Sequence, residues 1–257
     1  MPIRNADAER VRNASFFRSA DDATFNMAMN GAFLQRFPAN TTLLMEGDTV
    51  DFLYILLEGS VELGAGWKSK DTTLAILRPV STFILAAVVL ESDALMSAVT
   101  LERSEILMVP GESLRRSMKE NALFGYAVSE ELAGCYRGLV RSIKNHKLRD
   151  STERLANYLL TQRARQGNRD EIVLPHEKRV LASLLGMTPE NLSRAFSKLS
   201  DKGVSVDGSH VGFSSAAALE RLARPSPLID NHYAQDRNTM GKAYTERQQG
   251  VLDQKKV

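Results

Sequence analysis

The sequence predicts an α+β protein that begins with an antiparallel β-barrel or sandwich, continues with a long helix, and ends with a helix-turn-helix and a β-hairpin. Three observations lead to this prediction. Short β-rich runs broken by glycine and proline fill the first half of the chain. A helical period replaces them from about Ser113, and a capped pair of short helices hinged at Gly186 lies further on.

The composition is that of an ordinary globular chain. Of the 257 residues, 43% are hydrophobic and 25% are charged, which excludes a wholly disordered or collagen-like protein. The single cysteine, Cys135, excludes an intramolecular disulfide framework and any site built on several thiolates. The longest apolar run, residues 83–90, is too short to cross a bilayer, and the first ten residues lack the apolar segment of a signal peptide. We therefore expect a soluble, cytoplasmic protein.

The charge is distributed unevenly along the chain. Residues 21–136 carry eight basic and sixteen acidic side chains, a net charge of −8. Residues 137–204 carry fourteen basic and seven acidic side chains, a net charge of +7. This asymmetry indicates that the second part meets a polyanion. A solvated basic face would give the same count, so charge alone leaves both readings open.

The N-terminal part is predicted to hold an arm and the β-domain. Residues 1–20 are polar and irregular, which favours a flexible arm, and residues 21–112 alternate short apolar runs with turn residues. The runs begin at Thr42, Phe52, Val61, Leu74 and Ile106. They are predicted to stop at Glu46-Gly-Asp48, Glu58-Gly-Ser60, Gly64-Ala-Gly66, Arg78-Pro79 and Pro110-Gly111.

Residues 113–148 are predicted to form one long helix. Apolar or small side chains recur along it at spacings of three and four residues, the heptad pattern of a helix that pairs with its own copy. The predicted dimer-interface residues are Val128, Leu132, Cys135, Leu139, Ser142 and Ile143. A helix packed in the core of a single chain would show a similar stripe, so that alternative stays open.

Residues 149–224 are predicted to form a winged helix-turn-helix domain. Gly186 suits the positive φ of a tight turn between helices, Thr188 suits an N-cap, and Pro189 suits the first helical position. The second helix is predicted to bury Leu192, Ala195, Phe196 and Leu199. An ordinary helical hairpin in a core is the alternative, but it does not require this combination of turn, cap and polar face.

A hairpin and a tail complete the chain. Two β-type runs flank Asp207-Gly208, a hairpin signal that we interpret as the wing. After Arg224, the sequence Pro225-Ser-Pro227 begins a stretch with too little apolar content for a core. Residues 225–257 are therefore predicted to be a polar, disordered tail.

These motifs, in this order, resemble the Crp/Fnr superfamily of bacterial transcription regulators. The resemblance covers residues 17–223. Its N-terminal part rests on Glu46-Gly-Asp48, Leu53-Tyr-Ile-Leu56 and Glu58-Gly-Ser-Val61, and its C-terminal part on residues 181–194. It implies a jelly-roll effector domain of the cyclic-nucleotide-binding kind, a dimerisation helix, and a winged helix that enters the major groove.

Within that family, Glu-x-x-Ser-Arg at the start of the recognition helix marks the fumarate–nitrate type of base reading. Here those positions are Glu190, Ser193 and Arg194. Arginine can donate two bonds to guanine, glutamate can accept from the cytosine amino group, and serine can serve several bases. The resemblance implies a homodimer on a TTGAT-N4-ATCAA-like palindrome. The predicted contacts to the DNA backbone, for which solvated surface is the alternative, are Lys178, Arg179, Thr188, Ser197 and Lys198.

The expected effector residues of the family are missing. Members that bind cyclic AMP hold its phosphate with a Gly-Glu-Leu turn and an Arg-Ser-Ala segment, and the corresponding stretches here are Leu85-Ala-Ala87 and Met96-Ser-Ala98. A phosphate buried there would stay unpaired. The sequence therefore disfavours cyclic AMP. The apolar run 83–90 could line a pocket for a hydrophobic ligand, although plain core packing also explains it.

Other cofactors have little support. The N-terminal cysteines of the oxygen-sensing members are absent, which disfavours an iron–sulfur cluster. His146 and Cys135 on the long helix leave haem open. Oxidation of Cys135 at a dimer seam is a candidate redox response, with simple packing of the thiol as the alternative.

We therefore expect a homodimeric, DNA-binding regulator whose barrel biases the dimer helices and which, as the resemblance implies, contacts RNA polymerase. The alternative is a sensor or scaffold protein whose helix-turn-helix docks a protein partner. No nucleophile–base arrangement, glycine-rich phosphate loop or metal-ligand cluster is recognisable, so we expect neither an enzyme nor a metal site.

Overall fold

The computed structural model describes residues 5–12 and 15–230 of the chain. The chain divides into two compact units, Met1–Ala133 and Gly134–Val257. The predicted α+β class is confirmed, with an antiparallel β-domain, a long helix and a helix-turn-helix in that order. Over the described ranges, no helix is both long enough and apolar enough to span a membrane.

Two four-stranded antiparallel sheets form the β-domain of the N-terminal unit. Their strands are β1 (Phe33–Phe37), β2 (Thr42–Leu44), β3 (Phe52–Glu58), β4 (Val61–Trp67), β5 (Lys70–Leu77), β6 (Ser81–Phe83), β7 (Ser97–Thr100) and β8 (Ser104–Pro110). The order is β1-β8-β3-β6 in one sheet and β2-β7-β4-β5 in the other. All five runs predicted from the sequence lie in strands, and the buried faces of both sheets contribute to one apolar core.

The predicted end of β4 at Gly64-Ala-Gly66 was wrong. The strand continues to Trp67, and its register against β5 shifts between Leu63 and Gly64. A side chain at Gly66 would lie 2.9 Å from Asp71 Oδ1, and one at Gly64 would lie 3.3 Å from Thr72 O. The glycines therefore allow the two strands to approach closely at an irregular position rather than ending one of them.

The N-terminal residues differ from the predicted flexible arm. They form α1 (Asn5–Arg12), a 3₁₀ turn (Ser15–Ser19) and α2 (Asp22–Ala28). Phe16 and Phe17 are almost fully buried, and their ring centroids lie 5.7 and 5.8 Å from that of Phe124. Burial of two aromatic side chains orders the segment, because each removes a large apolar area from water.

The predicted helix 113–148 is two helices, α4 (Gly111–Glu120) and α5 (Ala122–Leu148). Asn121 between them has an extended backbone, with φ −127° and ψ 104°. Its side-chain oxygen accepts a hydrogen bond from Phe124 N at 3.0 Å. Asparagine competes for backbone donors in this way, so it ends one helix and caps the next.

The C-terminal unit contains a helix-turn-helix and a three-stranded sheet. Its elements are α6 (Ser151–Arg165), β9 (Glu171–Val173), α7 (Lys178–Leu184), α8 (Pro189–Ser200), β10 (Val204–Asp207), β11 (His210–Phe213), α9 (Ala216–Ala223) and α10 (Pro227–Asp230). The predicted hairpin is present as β10 and β11, and β9 adds a third strand to it. A separate apolar core forms between α6, the helix-turn-helix, the sheet and α9.

The beginning of the predicted tail, residues 225–257, is also ordered. The short helix α10 lies within it, and Asp230 pairs with Arg149 at the end of α5. The prediction of a disordered tail rested on its low apolar content, which gives no information about an ion pair such as that between Asp230 and Arg149. Residues 231–257 lie outside the described part of the chain.

Candidate nucleic-acid interface

The turn between α7 and α8 has the conformation that the sequence predicts. Gly186 has φ +61°, the left-handed region that favours glycine. The amide of Gly186 donates to Ser183 O at 2.9 Å, and that of Met187 donates to Ala182 O at 3.0 Å. These bonds close the end of α7 and set the direction in which the chain enters α8.

Two side chains from outside the motif hold this turn. The ring of His146 lies against Gly186, so closely that a methyl group there would come within 2.7 Å of its Cδ2. Arg154 donates to Leu185 O at 2.8 Å and to Arg149 O at 2.7 Å. The turn is therefore tied both to the end of α5 and to the linker that follows it.

Helix α8 is capped and amphipathic. Thr188 is its N-cap and accepts a hydrogen bond from Asn191 N at 3.3 Å, and Pro189 follows at the start of the helix. Leu192, Ala195 and Leu199 are buried, as predicted, whereas the predicted core residue Phe196 is only half-buried. One face of α8 is thus fixed in the core, which leaves the opposite face free to contact a partner.

The three predicted base-reading residues lie together on that opposite face. Glu190, Ser193 and Arg194, which we call the reading face, are all exposed. The guanidinium of Arg194 forms a short hydrogen bond to the side-chain oxygen of Asn191, one turn earlier. This contact extends a flexible side chain along the helix surface in the free protein.

The carboxyl group of Glu190 is held in its ionised form. A hydrogen bond from the Thr188 side chain lowers its pKa below the usual 4.5, and a backbone hydrogen bond and the charge of Arg194 act in the same direction. An ionised carboxylate is a pure acceptor, which is the form that can accept from a base amino group. The N-cap residue of α8 therefore also contacts the reading face, through its hydrogen bond to Glu190.

The five predicted DNA-backbone residues are exposed around this face. Lys178 and Arg179 lie in the first turn of α7, whereas Thr188, Ser197 and Lys198 belong to α8 and its cap. The hydroxyl of Ser197 donates to Ser193 O at 3.1 Å, within the helix. Their roles stay predictions, since exposure alone does not distinguish a phosphate contact from solvated surface.

The predicted dimer stripe on α5 divides into two parts. Val128 is fully buried and Leu132 partly buried against the barrel core, so Val128 is not available for a partner helix. Further along, Cys135, Leu139 and Ile143 are exposed and Ser142 is half-buried. The heptad pattern continues across both environments, which is why the sequence could not separate the residues that face the chain's own core.

The exposed part of the stripe carries large apolar side chains. Leu139 is 62% exposed, Ile143 59% and Tyr136 68%. Cys135 is also exposed, so the alternative in which its thiol packs inside its own chain does not hold for the described protomer. Its redox role stays a prediction.

The stretch that would bind a cyclic phosphate forms a packed apolar element. It folds as α3 (Leu85–Leu90), in which Leu85 and Val88 are buried in the barrel core. Arg115 of α4 donates to Val88 O at 2.8 Å and pairs with Glu91 at 2.7 Å. These residues do not fit a cyclic phosphate, because no side chain in residues 82–90 carries a positive charge and the helix is already fixed by protein contacts.

The second stretch that the resemblance places at the phosphate, Met96-Ser-Ala98, fits a cyclic phosphate no better. Met96 is half-buried, Ala98 is fully buried, and the hydroxyl of Ser97 accepts from Glu46 N at 2.9 Å. As for metals, the residues that the structure describes contain no group of three or more His, Cys, Asp or Glu that could hold an ion.

Comparison with known families assigns both units. Residues 34–121 match the cyclic nucleotide-binding domain, and residues 153–222 match the Crp-like helix-turn-helix domain. The two models match in the order that the sequence motifs predicted, with the long helix between them. The chain belongs to the Crp/Fnr superfamily. The match to the first model concerns the domain as a whole and does not by itself assign a ligand to it.

Several Crp/Fnr proteins are similar over most of the chain. The global nitrogen regulator of Nostoc sp. is 26% identical over 190 residues, 69% of this chain and 84% of the relative. The cyclic AMP receptor protein of Thermus thermophilus is 27% identical over 215 residues, 83% of this chain and 98% of the relative. The structure of FixK2 from Bradyrhizobium japonicum shares the fold, with a TM-score of 0.66 and 18% identity over 76% of this chain and 98% of that chain. The protein is a transcription regulator of the Crp/Fnr type.

Three residues of this Crp/Fnr interface were missed by the sequence reasoning. Asn191 could have been found, because it lies three residues before Arg194 on a helix, a spacing at which side chains meet. His146 was predicted as a candidate haem ligand and not as a contact of the turn, and no role was predicted for Arg154. Their contacts in the turn lie 40 and 31 residues away along the chain, so no local pattern announces them.

Proposed function

We propose that this protein is a homodimeric, sequence-specific DNA-binding regulator that reads a TTGAT-N4-ATCAA-like palindrome. Glu190, Ser193 and Arg194 are assigned to base reading. Contacts to phosphates are assigned to Lys178, Arg179, Thr188, Ser197 and Lys198.

The observation that carries the proposal is the reading face. A polar helix face made of an acceptor, a hydroxyl and a guanidinium is exposed at the start of α8, while the other face of the same helix is fixed in the core. Arginine suits the two acceptors of guanine, and an ionised glutamate suits the amino group of cytosine. The chemistry of the face thus fits major-groove recognition, and the Crp-like match supports the same docking mode.

The dimer is supported by the exposed apolar side chains in the second half of α5. Apolar side chains at Tyr136, Leu139 and Ile143 are each more than half exposed in a single chain. A second copy of the same helix would cover them with residues of the same kind, as in a coiled coil. A twofold dimer would place two reading faces about 34 Å apart, one turn of DNA, which accounts for a palindromic site.

The effector is proposed to differ from that of the cyclic AMP receptor protein. The resemblance places Ala86 where the carboxylate for the ribose of a cyclic nucleotide would lie and Met96 where the guanidinium for its phosphate would lie, and Val88 nearby is fully buried. Regulation would then act through another ligand or through the abundance of the protein. The family resemblance supports RNA polymerase as a further partner.

Two substitutions on α8 test the proposal. Arg194→Ala should weaken binding to the palindrome by about 1–3 kcal/mol and relax discrimination at one guanine. Lys198→Ala, four residues later on the same helix, should weaken binding to all sequences alike and reduce the slope of log affinity against log salt by about 1. Binding is measured by fluorescence anisotropy against single-base variants of the site, at several salt concentrations.

A specific pattern of results would contradict the assignment. If Arg194→Ala leaves discrimination unchanged at every base pair, the reading face does not read bases. If the wild type binds a scrambled duplex as tightly as the palindrome, the proposed sequence specificity is wrong.

A further inference from the structure

The residues after α9 fold back toward the end of α5. Arg224 has φ +46°, which reverses the chain direction, and Pro225 and Pro227 stiffen the next residues. The turn is closed internally, because Ser226 N donates to Asp230 Oδ2 at 2.6 Å and Asp230 N donates to Ser226 O at 2.8 Å. We call residues 224–230 the C-terminal strap.

An ion pair joins this strap to Arg149. The guanidinium of Arg149 contacts the two carboxylate oxygens of Asp230 at 2.5 and 2.7 Å, a bidentate arrangement. The Arg149 side chain is 7% exposed and that of Asp230 is 20% exposed, so the pair is largely removed from water. The same guanidinium donates to Asn145 Oδ1 on α5 at 3.1 Å and to Arg224 O at 3.5 Å.

Two further hydrogen bonds fix the strap and the residue just before it. Lys144 Nζ donates to Leu228 O at 3.2 Å, which connects α10 to the last turns of α5. Asn157 Nδ2 donates to Ala223 O at 2.6 Å, which connects the end of α9 to α6. The strap is therefore bound to α5, and it begins at a point that α6 holds in place.

These contacts matter because Arg149 lies in the short linker between α5 and α6. Arg149 and Asp150 are the residues between α5 and α6, and Asp150 is already committed as the N-cap of α6. A linker this short has few backbone torsions, so fixing one side chain restricts most of its freedom. Neither Arg149 nor the strap beyond residue 222 lies in the part of the chain that matches the Crp-like helix-turn-helix domain.

We infer that the C-terminal strap locks the α5–α6 linker, with Arg149 and Asp230 as positioning residues that set the direction of α8 relative to the end of α5. Its consequence for DNA binding rests on the proposed function. A palindrome requires both reading faces to be correctly directed at once, so any freedom in the linker lowers the fraction of molecules that are competent to bind. The strap thus supports the affinity for the palindrome by positioning α8 rather than by contacting a base or a phosphate itself.

The test compares Asp230→Ala with Leu228→Ala in the full chain. Asp230→Ala removes the anion from Arg149, whereas Leu228→Ala trims a 71% exposed side chain and keeps the backbone oxygen that Lys144 contacts. Amide hydrogen exchange of residues 145–152 is measured in the free protein, and affinity for the palindrome is measured separately. A second pair of variants ends the chain after residue 224 or after residue 231, so that only the first lacks the strap.

We expect Asp230→Ala and the chain ending at residue 224 to raise exchange at residues 145–152 and to weaken DNA binding by about tenfold, as when the competent fraction falls to about one tenth. Leu228→Ala and the chain ending at residue 231 should match the wild type. Exchange within α7 and α8 should stay unchanged in all four variants, which separates positioning from loss of the fold.

Two results would overturn the inference. If exchange at residues 145–152 in Asp230→Ala equals that in Leu228→Ala, the strap does not lock the linker. If exchange rises but DNA affinity does not fall, the strap does not direct α8. Failure of the wild type to bind the palindrome would count against the proposed function alone, because the exchange comparison is made without DNA.

Discussion

Substitution of Gly186 by alanine tests how the turn of the helix-turn-helix is held. An alanine at φ +61° costs about 1–2 kcal/mol, because its Cβ crowds the following carbonyl oxygen in the left-handed region. The new methyl group would also lie 2.7 Å from His146 Cδ2, closer than real atoms approach. The substitution therefore carries a backbone cost and a contact cost, and the two can be measured separately.

The contact cost is the free energy lost when the His146 ring moves away and breaks its hydrogen bond. The ring is exposed and can move, but its Nδ1 donates to Ser142 O at 2.9 Å, and losing that hydrogen bond costs about 0.5–1.5 kcal/mol. Gly186→Ala should therefore destabilise the turn by about 1.5–3.5 kcal/mol in total. In a His146→Ala background, the same change should cost only the backbone part, about 1–2 kcal/mol.

Gly208 in the wing provides a matched control. It has φ +57°, and a methyl group there would meet no atom within 4 Å. Gly208→Ala should thus cost only about 1–2 kcal/mol in the wing. The assay is native-state amide hydrogen exchange, which reports opening free energies separately for the α7–α8 amides and for the β10–β11 amides. Equal losses for the two glycines, or no relief in the His146→Ala background, would refute the packing of the ring on the turn.

Two other predictions concern α5 and the cap of α8. Leu139→Glu should convert the proposed dimer to a folded monomer, as measured by sedimentation, because it places a charge in the exposed stripe. Val128→Ala should lower the unfolding free energy of the barrel by about 2 kcal/mol and leave the dimer intact. A monomeric Val128→Ala variant would contradict this division of the stripe. Thr188→Val should raise the pKa of Glu190 toward its usual 4.5 in an NMR titration and weaken α8 by about 0.5–2 kcal/mol through loss of the cap. Because folding lowers this pKa, the wild type has a stability contribution that is complete above the unfolded value and is lost as the pH falls through the folded value. The variant should show a smaller acid-range dependence, since the backbone hydrogen bond and the charge of Arg194 still lower the pKa of Glu190.

The helix-turn-helix was predictable because its determinants are local. The φ of Gly186, the cap at Thr188 and the position of Pro189 each follow from the preference of one residue type at one position. The buried face of α8 follows from a period of 3.6 residues. Short strands in the barrel were predictable for a similar reason, since turn residues separate them.

The errors came where partners are distant in sequence. Phe16 and Phe17 lie in a polar N-terminal stretch, and two aromatic residues are too few to form a recognisable pattern. Both rings contact Phe124, which lies far along the chain on α5. Val128 continues a heptad yet faces the barrel, because periodicity records that a face is apolar and not which neighbour covers it. Asp230 anchors a tail through an ion pair, which hydrophobic patterning cannot detect.

The aromatic contact between the N-terminal segment and Phe124 bears on how the N-terminal unit is made. Residues 16 and 124 meet only after more than a hundred intervening residues have been synthesised, so this part of the core is closed by chain segments from opposite ends of the unit. Contacts between residues so far apart in sequence form late in folding, because the entropy cost of closing the long loop comes before any stabilisation. During translation, Phe16 and Phe17 would lack their Phe124 partner until the first turns of α5 emerge from the ribosome, so this part of the apolar core would be open to aggregation or to chaperone capture in that interval.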